Sequence, residues 1–145
     1  MVRLFIISIF FICSVAKGQQ IPPAIAKRLL TLPDTYVGKL PCADCAGIET
    51  TLTLQCDSLC DHGRYMRVDK YVNTKNGDQL NKTKGYWGYL NKATTTEHGS
   101  FFIALNVGDT TKMSFYEVTK KGDLLPVDKD LKKIDAPIDM TLKKL

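Results

Sequence analysis

The chain has 145 residues, 44% hydrophobic and 24% charged, the make-up of one ordinary globular domain, which excludes two large domains and a disordered tail. Twenty basic and fifteen acidic residues leave a formal charge of +5. The basic residues alternate with Asp and Glu from Lys27 to Lys144, so no stripe is dense enough to displace counterions from a nucleic acid, and none is expected as a partner.

Residues 1–18 read as a signal peptide. Met1-Val2-Arg3 is a short basic start, Leu4 to Ile12 is apolar except at Ser8, and Ala16-Lys17-Gly18 supplies small residues for cleavage. The apolar run is too short for the roughly 20 residues a spanning helix needs, and no second run follows, so the mature chain is expected to lack a transmembrane helix. Cys13 is a poor lipid-anchor site, because the bulky Phe10-Phe11-Ile12 stand where a lipoprotein signal has small residues. Without Arg3 and Lys17, 18 basic residues face 15 acidic ones, a mature charge of +3. The expected location is the periplasm or outer envelope.

Residues 19–34 form an arm, with Pro22-Pro23, a short helical stretch from Ala24 to Leu30, and Pro33-Asp34. From residue 35 to residue 145 one domain is expected, because the pattern turns to period two. Ile48, Thr50, Leu52 and Leu54 alternate with Glu49, Thr51, Thr53 and Gln55; Met66, Val68 and Val72 alternate with Arg67, Asp69 and Asn73. Phe101, Ile103, Leu105 and Val107 form another face, and Met113 with Phe115 a further one. Turn signals stand at Asp61-His62-Gly63, Asn76-Gly77-Asp78, Val107-Gly108-Asp109 and Lys121-Gly122-Asp123. Strands are expected near 35–40, 48–56, 64–73, 83–90, 101–107, 112–119, 123–128 and 139–144. Short strands with tight turns predict an all-β fold, a small antiparallel meander barrel of about eight strands, lipocalin-like in size. Such a barrel is either filled by its own side chains or holds one small ligand.

Four cysteines remain in the mature chain: Cys42, Cys45, Cys56 and Cys60. An even number in an exported chain points to disulfides, with Cys42–Cys45 and Cys56–Cys60 the leading pairing and the other two pairings open. Three other chemistries fit the residue types. Four thiolates at zinc-ribbon spacing would have to meet across an extended strand of some 25 Å, at roughly 3.3 Å per residue. Reduced Cys42 and Cys45 could hold Cu(I) in low coordination, with Met66, Met113, His62 and His98 as further donors. A catalytic thiol pair would need a helix N-terminus that the pattern does not provide, and Asp44 would oppose a thiolate. No nucleophile elbow, phosphate loop or His-Glu-x-x-His occurs, so no catalytic residue is assigned and no cofactor is required. Met66 and Trp87 read as core residues of their strands, His62 and His98 as exposed turn residues.

The segment Leu40-Pro41-Cys42-Ala43-Asp44-Cys45-Ala46-Gly47-Ile48 resembles the signature of the NlpE N-terminal domain family, bacterial envelope proteins linked to copper resistance and to sensing of envelope and surface stress. The likeness continues through Gly63-Arg64-Tyr65, Gly85-Tyr86-Trp87-Gly88, Phe115-Tyr116-Glu117-Val118 and Gly122-Asp123-Leu124-Leu125-Pro126-Val127-Asp128. Cys56 and Cys60 are extra to the family pattern, and Lys132-Lys133 replaces its closing glycine-asparagine turn. The resemblance implies a non-catalytic envelope protein acting in copper homeostasis or stress sensing through Cys42 and Cys45, with copper as a ligand and an envelope signalling protein or a small ligand as partner. A thiol-disulfide oxidoreductase and a lipocalin-like small-ligand carrier are the alternatives.

Overall fold

Alternation along the second strand shows how the sequence builds the sheet. In Gly47–Cys56, Thr50, Leu52 and Leu54 are buried while Glu49 and Gln55 are exposed, as a strand with one wet face requires. A computed structural model describes residues 33–56, 62–90 and 101–145. The signal peptide at 1–18, the helical stretch at 24–30, and Cys13, Cys60 and His98 lie outside the described residues.

Eight strands follow in chain order: β1 (Asp34–Leu40), β2 (Gly47–Cys56), β3 (His62–Thr74), β4 (Gly77–Leu90), β5 (Phe101–Leu105), β6 (Ser114–Val118), β7 (Leu124–Val127) and β8 (Lys143–Lys144). Each of β1 to β7 pairs antiparallel with the next, and β8 returns to β1. The meander is closed where Leu142 exchanges backbone hydrogen bonds with Leu124 of β7, at 2.8 and 2.9 Å. This is the expected all-β barrel. The last strand is shorter than the pattern suggests, because its segment serves as a splice between β1 and β7. Around it, Lys144 Nζ donates to the buried Asp34 at 2.6 Å, and its backbone N–H donates to Asp123 at 3.1 Å.

The barrel is filled. Leu52, Trp87, Ile103, Leu105, Leu124 and Leu142 have almost no accessible surface, and Tyr36, Leu54, Tyr65 and Tyr116 complete the cluster. Trp87 is core as expected. Its indole N–H donates to the Gln55 carbonyl at 2.9 Å, and its ring meets Tyr89 edge to face, with centroids 5.5 Å apart.

Two strands differ from the expected pattern. The first half of β4, residues 77–84, is exposed at every position. It was unmarked by hydrophobic alternation because it lies at the edge of the sheet: β4 pairs with β5 only from Trp87 to Leu90, whereas its pairing with β3 continues back to Gly77. The second correction concerns β3. Met66, read as core, is 53% exposed, while Tyr65 and Asp69 are buried. The strand has two competing period-two sets, and the aromatic one with Tyr65 wins the interior, which carries Arg67 and Asp69 inward with it.

Candidate functional site: the disulfide loop and the polar cluster of one rim

The meander places the β1–β2, β3–β4 and β5–β6 connections at the same end of the barrel. The β1–β2 connection is the Cys-x-x-Cys loop, in which Cys42 and Cys45 are joined by a disulfide with a Cα–Cα distance of 5.4 Å. Both cysteines are half-buried, while Pro41, Ala43, Asp44 and Ala46 are exposed. The loop is fixed at its exit by the Ala46 N–H, which donates to the Val72 carbonyl at 2.8 Å. Gly47 follows with φ of 141°, a value that side-chain-bearing residues rarely adopt, and a Cβ there would meet the Lys39 side chain. The glycine of the Cys-x-x-Cys-x-Gly block thus lets the chain turn from the loop into β2.

Cys56 sits at the other end of the ten-residue β2 and is also disulfide-bonded. The four-thiolate arrangement is therefore not assembled at Cys42 and Cys45, and among the described residues no group of three or more His, Cys, Asp or Glu side chains is placed to hold a metal. Of the added Cu(I) donors, Met66 lies opposite Thr53 and Lys84 in the middle of the sheet, Met113 is half-buried in the β5–β6 connection, and His62 is exposed at the start of β3.

Behind the same rim, inside the barrel, lies a polar cluster that the sequence reading did not single out. Arg67 Nε donates to Asp69, 2.9 Å from Oδ1 and 2.8 Å from Oδ2. Thr50 Oγ1 donates to Asp69 at 2.6 Å, and Arg67 Nη1 donates to the Tyr116 hydroxyl at 3.3 Å. Burial pulls the Arg67 pKa down, but Tyr116 and Asp69 outweigh it and hold the guanidinium above its ordinary value. Burial pushes the Tyr116 phenol up, with Arg67 opposing. Burial also raises Tyr89, and Tyr36 adds to the effect. One sequence signal pointed here: Tyr65-x-Arg67-x-Asp69-x-Tyr71 is an alternation bounded by aromatics, and Thr50 breaks an apolar inward run on the neighbouring strand.

Next to the cluster, Tyr65 donates to Asn106 Oδ1 at 2.6 Å, and Asn106 Nδ2 donates to the Lys112 carbonyl at 2.9 Å. Asn106 has φ of 60°, the left-handed conformation that asparagine tolerates better than most residues. This turn ends β5 two residues earlier than the apolar pattern implied, and Val107 is exposed instead of facing the core. Gly85 makes the Tyr65–Asn106 contact sterically feasible: a Cβ there would lie 2.9 Å from both Asn106 Oδ1 and the Tyr65 ring.

These features define an eight-stranded antiparallel barrel domain with a disulfide-closed Cys-x-x-Cys loop on its rim. The chain belongs to the NlpE family: the model of the NlpE N-terminal domain matches residues 36–137. It is similar to Lipoprotein NlpE of Escherichia coli, at 33% identity over 72 residues, a match that covers 50% of this chain and 28% of that protein. A crystal structure of a protein described as a lipoprotein from Shewanella oneidensis matches with a TM-score of 0.56 and 28% identity, over 82% of this chain and 94% of that one. The crystal structure of the Cpx pathway activator NlpE from Escherichia coli matches with a TM-score of 0.49 and 26% identity, over 77% of this chain and 50% of that one.

Proposed function

We propose that the chain is a non-catalytic module of the bacterial envelope in which Cys42 and Cys45 form a redox-gated element of copper or stress sensing. The observation that carries the reading is the Cys42–Cys45 bridge itself, set in a loop with exposed flanking residues on the rim of a filled barrel. As a disulfide the pair offers no thiolate. Reduction by two electrons and two protons yields two thiols on residues whose Cα atoms are 5.4 Å apart, and their deprotonated sulfurs suit two-coordinate Cu(I). The same reduction frees the loop, which can be read by a signalling partner in the envelope. Catalytic thiol exchange is disfavoured because Cys42 follows a strand end instead of opening a helix, and the acidic Asp44 lies between the two cysteines in sequence.

Anaerobic Cu(I) titration against a competing chelator tests the proposal. The protein reduced with a dithiol should bind one Cu(I), while Cys42→Ser, Cys45→Ser and the oxidised protein should bind none. Binding undiminished in the double variant, or repeated turnover of a test disulfide by the wild type, would overturn it. Export is part of the same proposal, and the case against acylation rests on Phe10-Phe11-Ile12. The N-terminal peptide mass from envelope material decides between cleavage after Gly18 and a lipid on Cys13, the latter being the form that the relatives' description as lipoproteins would suggest.

A further inference from the structure

A cleft of about 590 Å³ opens between the inner face of β3, the half of β4 that does not pair with β5, and the β5–β6 connection. Its size is that of a small-molecule site, and its chemistry differs from that of an apolar lipocalin interior. The apolar side chains of the barrel fill the centre, so the cleft is walled mainly by polar groups: Arg67 and Asp69 at its base, Thr83 across the strand pair from Arg67, and Asn106 and Ser114 opposite.

Arg67 is the group this arrangement leaves partly free. Its Nε is committed to Asp69 and its Nη1 to Tyr116, but among the described residues Nη2 has no partner. The side chain retains 19% of its accessible surface, against 7% for Asp69. Asp69, which also accepts from Thr50, therefore holds the guanidinium while Nη2 is left for the cleft. A buried ion pair often contributes less stability than apolar residues of the same volume would. Retaining one at the edge of an open cleft, with donors to spare, is a departure from core-packing rules of the kind found at functional sites.

Charge points the same way. Arg67, Lys82, Lys84 and Lys112 border the cleft against only Asp69 and Asp109. Lys112 pairs with Asp109 at 3.4 Å in an exposed position, and Lys82 and Lys84, which flank the inward Thr83 and stand opposite Val68 and Met66, contribute charge from the other face of β4. The hydroxyls of Thr83 and Ser114 add neutral donors. The two N–H groups of Nη2 are charge-assisted donors suited to the oxygens of an oxyanion.

We propose that this cleft binds a small hydrophilic oxyanion, with Arg67 Nη2 as its anchor and Lys82 and Lys84 attracting it through the positive potential they add at the edge of β4. Carboxylate and phosphate share the required chemistry, and a long apolar tail has no place among these walls. The site is independent of the Cys42–Cys45 reading, because Arg67 is held by Asp69 and Tyr116 and not by the loop.

Calorimetric titration of the full-length protein with succinate, glycerol 3-phosphate, inorganic phosphate and dodecanoate distinguishes the sources. One of the first three should bind saturably at one site and weaken as salt is added. Arg67→Lys keeps the charge but loses the planar group that Asp69 and Tyr116 hold with Nη2 toward the cleft, and should lower affinity about tenfold or more. If that variant is poorly folded, Lys82→Gln with Lys84→Gln, both on the exposed half of β4, should still weaken binding severalfold, and Cys42→Ser with Cys45→Ser should leave it unchanged. Absence of saturable binding by all three hydrophilic anions, preference for dodecanoate over them, or equal affinity in the Lys82→Gln/Lys84→Gln variant overturns the assignment.

Discussion

At the scale of single residues, the most consequential placement is the inward turn of Arg67 and Asp69. Asp69 is 5% exposed and satisfied by Thr50 and Arg67 together, so the stability of the pair depends on keeping both members. Removing one leaves a buried charge uncompensated, at a cost of about 3–5 kcal/mol, whereas removing both can be nearly neutral. Arg67→Met should therefore lower the stability measured by urea unfolding by roughly that amount, and Arg67→Met with Asp69→Leu should recover most of it. A double variant as unstable as the single one would show that the pair itself, and not the unpaired carboxylate, carries the energy. The cluster was legible only in part: Tyr65 and Tyr71 flank the charged residues at even spacing, but Met66, Val68 and Val72 offered an equally regular and more apolar alternative. The Tyr65 ring, a member of the buried cluster, fills the barrel interior better than those smaller side chains, and that decision belongs to packing.

Turns and strand ends govern the next scale. Asp78 accepts the Asn73 N–H at 2.9 Å and pairs with Lys70 at 3.0 Å, and Asp109 accepts from the hydroxyl and N–H of Thr111 at 2.6 and 3.1 Å. These bonds hold both carboxyls below their usual 3.8, with the Asn73 backbone bond the largest cause for Asp78 and the Thr111 hydroxyl for Asp109. Asp139 is lowered in the same way, first by the Thr141 hydroxyl. Each carboxyl has its pKa depressed on folding, so its contribution is complete above 3.8 and disappears as pH falls through the lower folded value. Thermal melts should be insensitive to these groups from neutral pH down to about 5 and should fall below about 4; Asp109→Asn should flatten part of that acid limb. A melting temperature constant down to pH 2 would contradict the turn assignment. The tight turns were readable from Asn76-Gly77-Asp78 and Val107-Gly108-Asp109, since short polar side chains and glycine satisfy and bend the backbone locally. The polar half of β4 was not, because a strand exposed on both faces has no hydrophobic period to display.

For the whole molecule, stability rests on closing the barrel. Leu142 belongs to no long strand, yet it is fully buried and exchanges two backbone hydrogen bonds with Leu124, while the adjacent Lys144 binds Asp34. Leu142→Ala should cost about 2–5 kcal/mol and open the β1–β7 seam. Hydrogen exchange in that variant should accelerate most at β1, β7 and β8, and uniform acceleration would mean that the seam is not a separate weak point. By contrast, the Cys42–Cys45 bridge closes so short a loop that its loss removes less than the roughly 3 kcal/mol assigned to a 15-residue loop, and the barrel is expected to survive reduction.

The amino-acid sequence by itself determined the all-β class, the approximate number of strands, the position of most turns, and the Cys-x-x-Cys loop with its family resemblance. Those properties follow from local period, turn chemistry and a contiguous motif, all of which are written within a few neighbouring residues. Tertiary structure alone decided which face of β3 turned inward, where β4 parted from β5, and how residues 142–144 were inserted between the first and seventh strands. It also brought Thr50, Arg67 and Tyr116 together around Asp69. These outcomes compare the packing energy of whole faces and join residues as far apart as Asp34 and Lys144, a comparison that no short window of sequence contains.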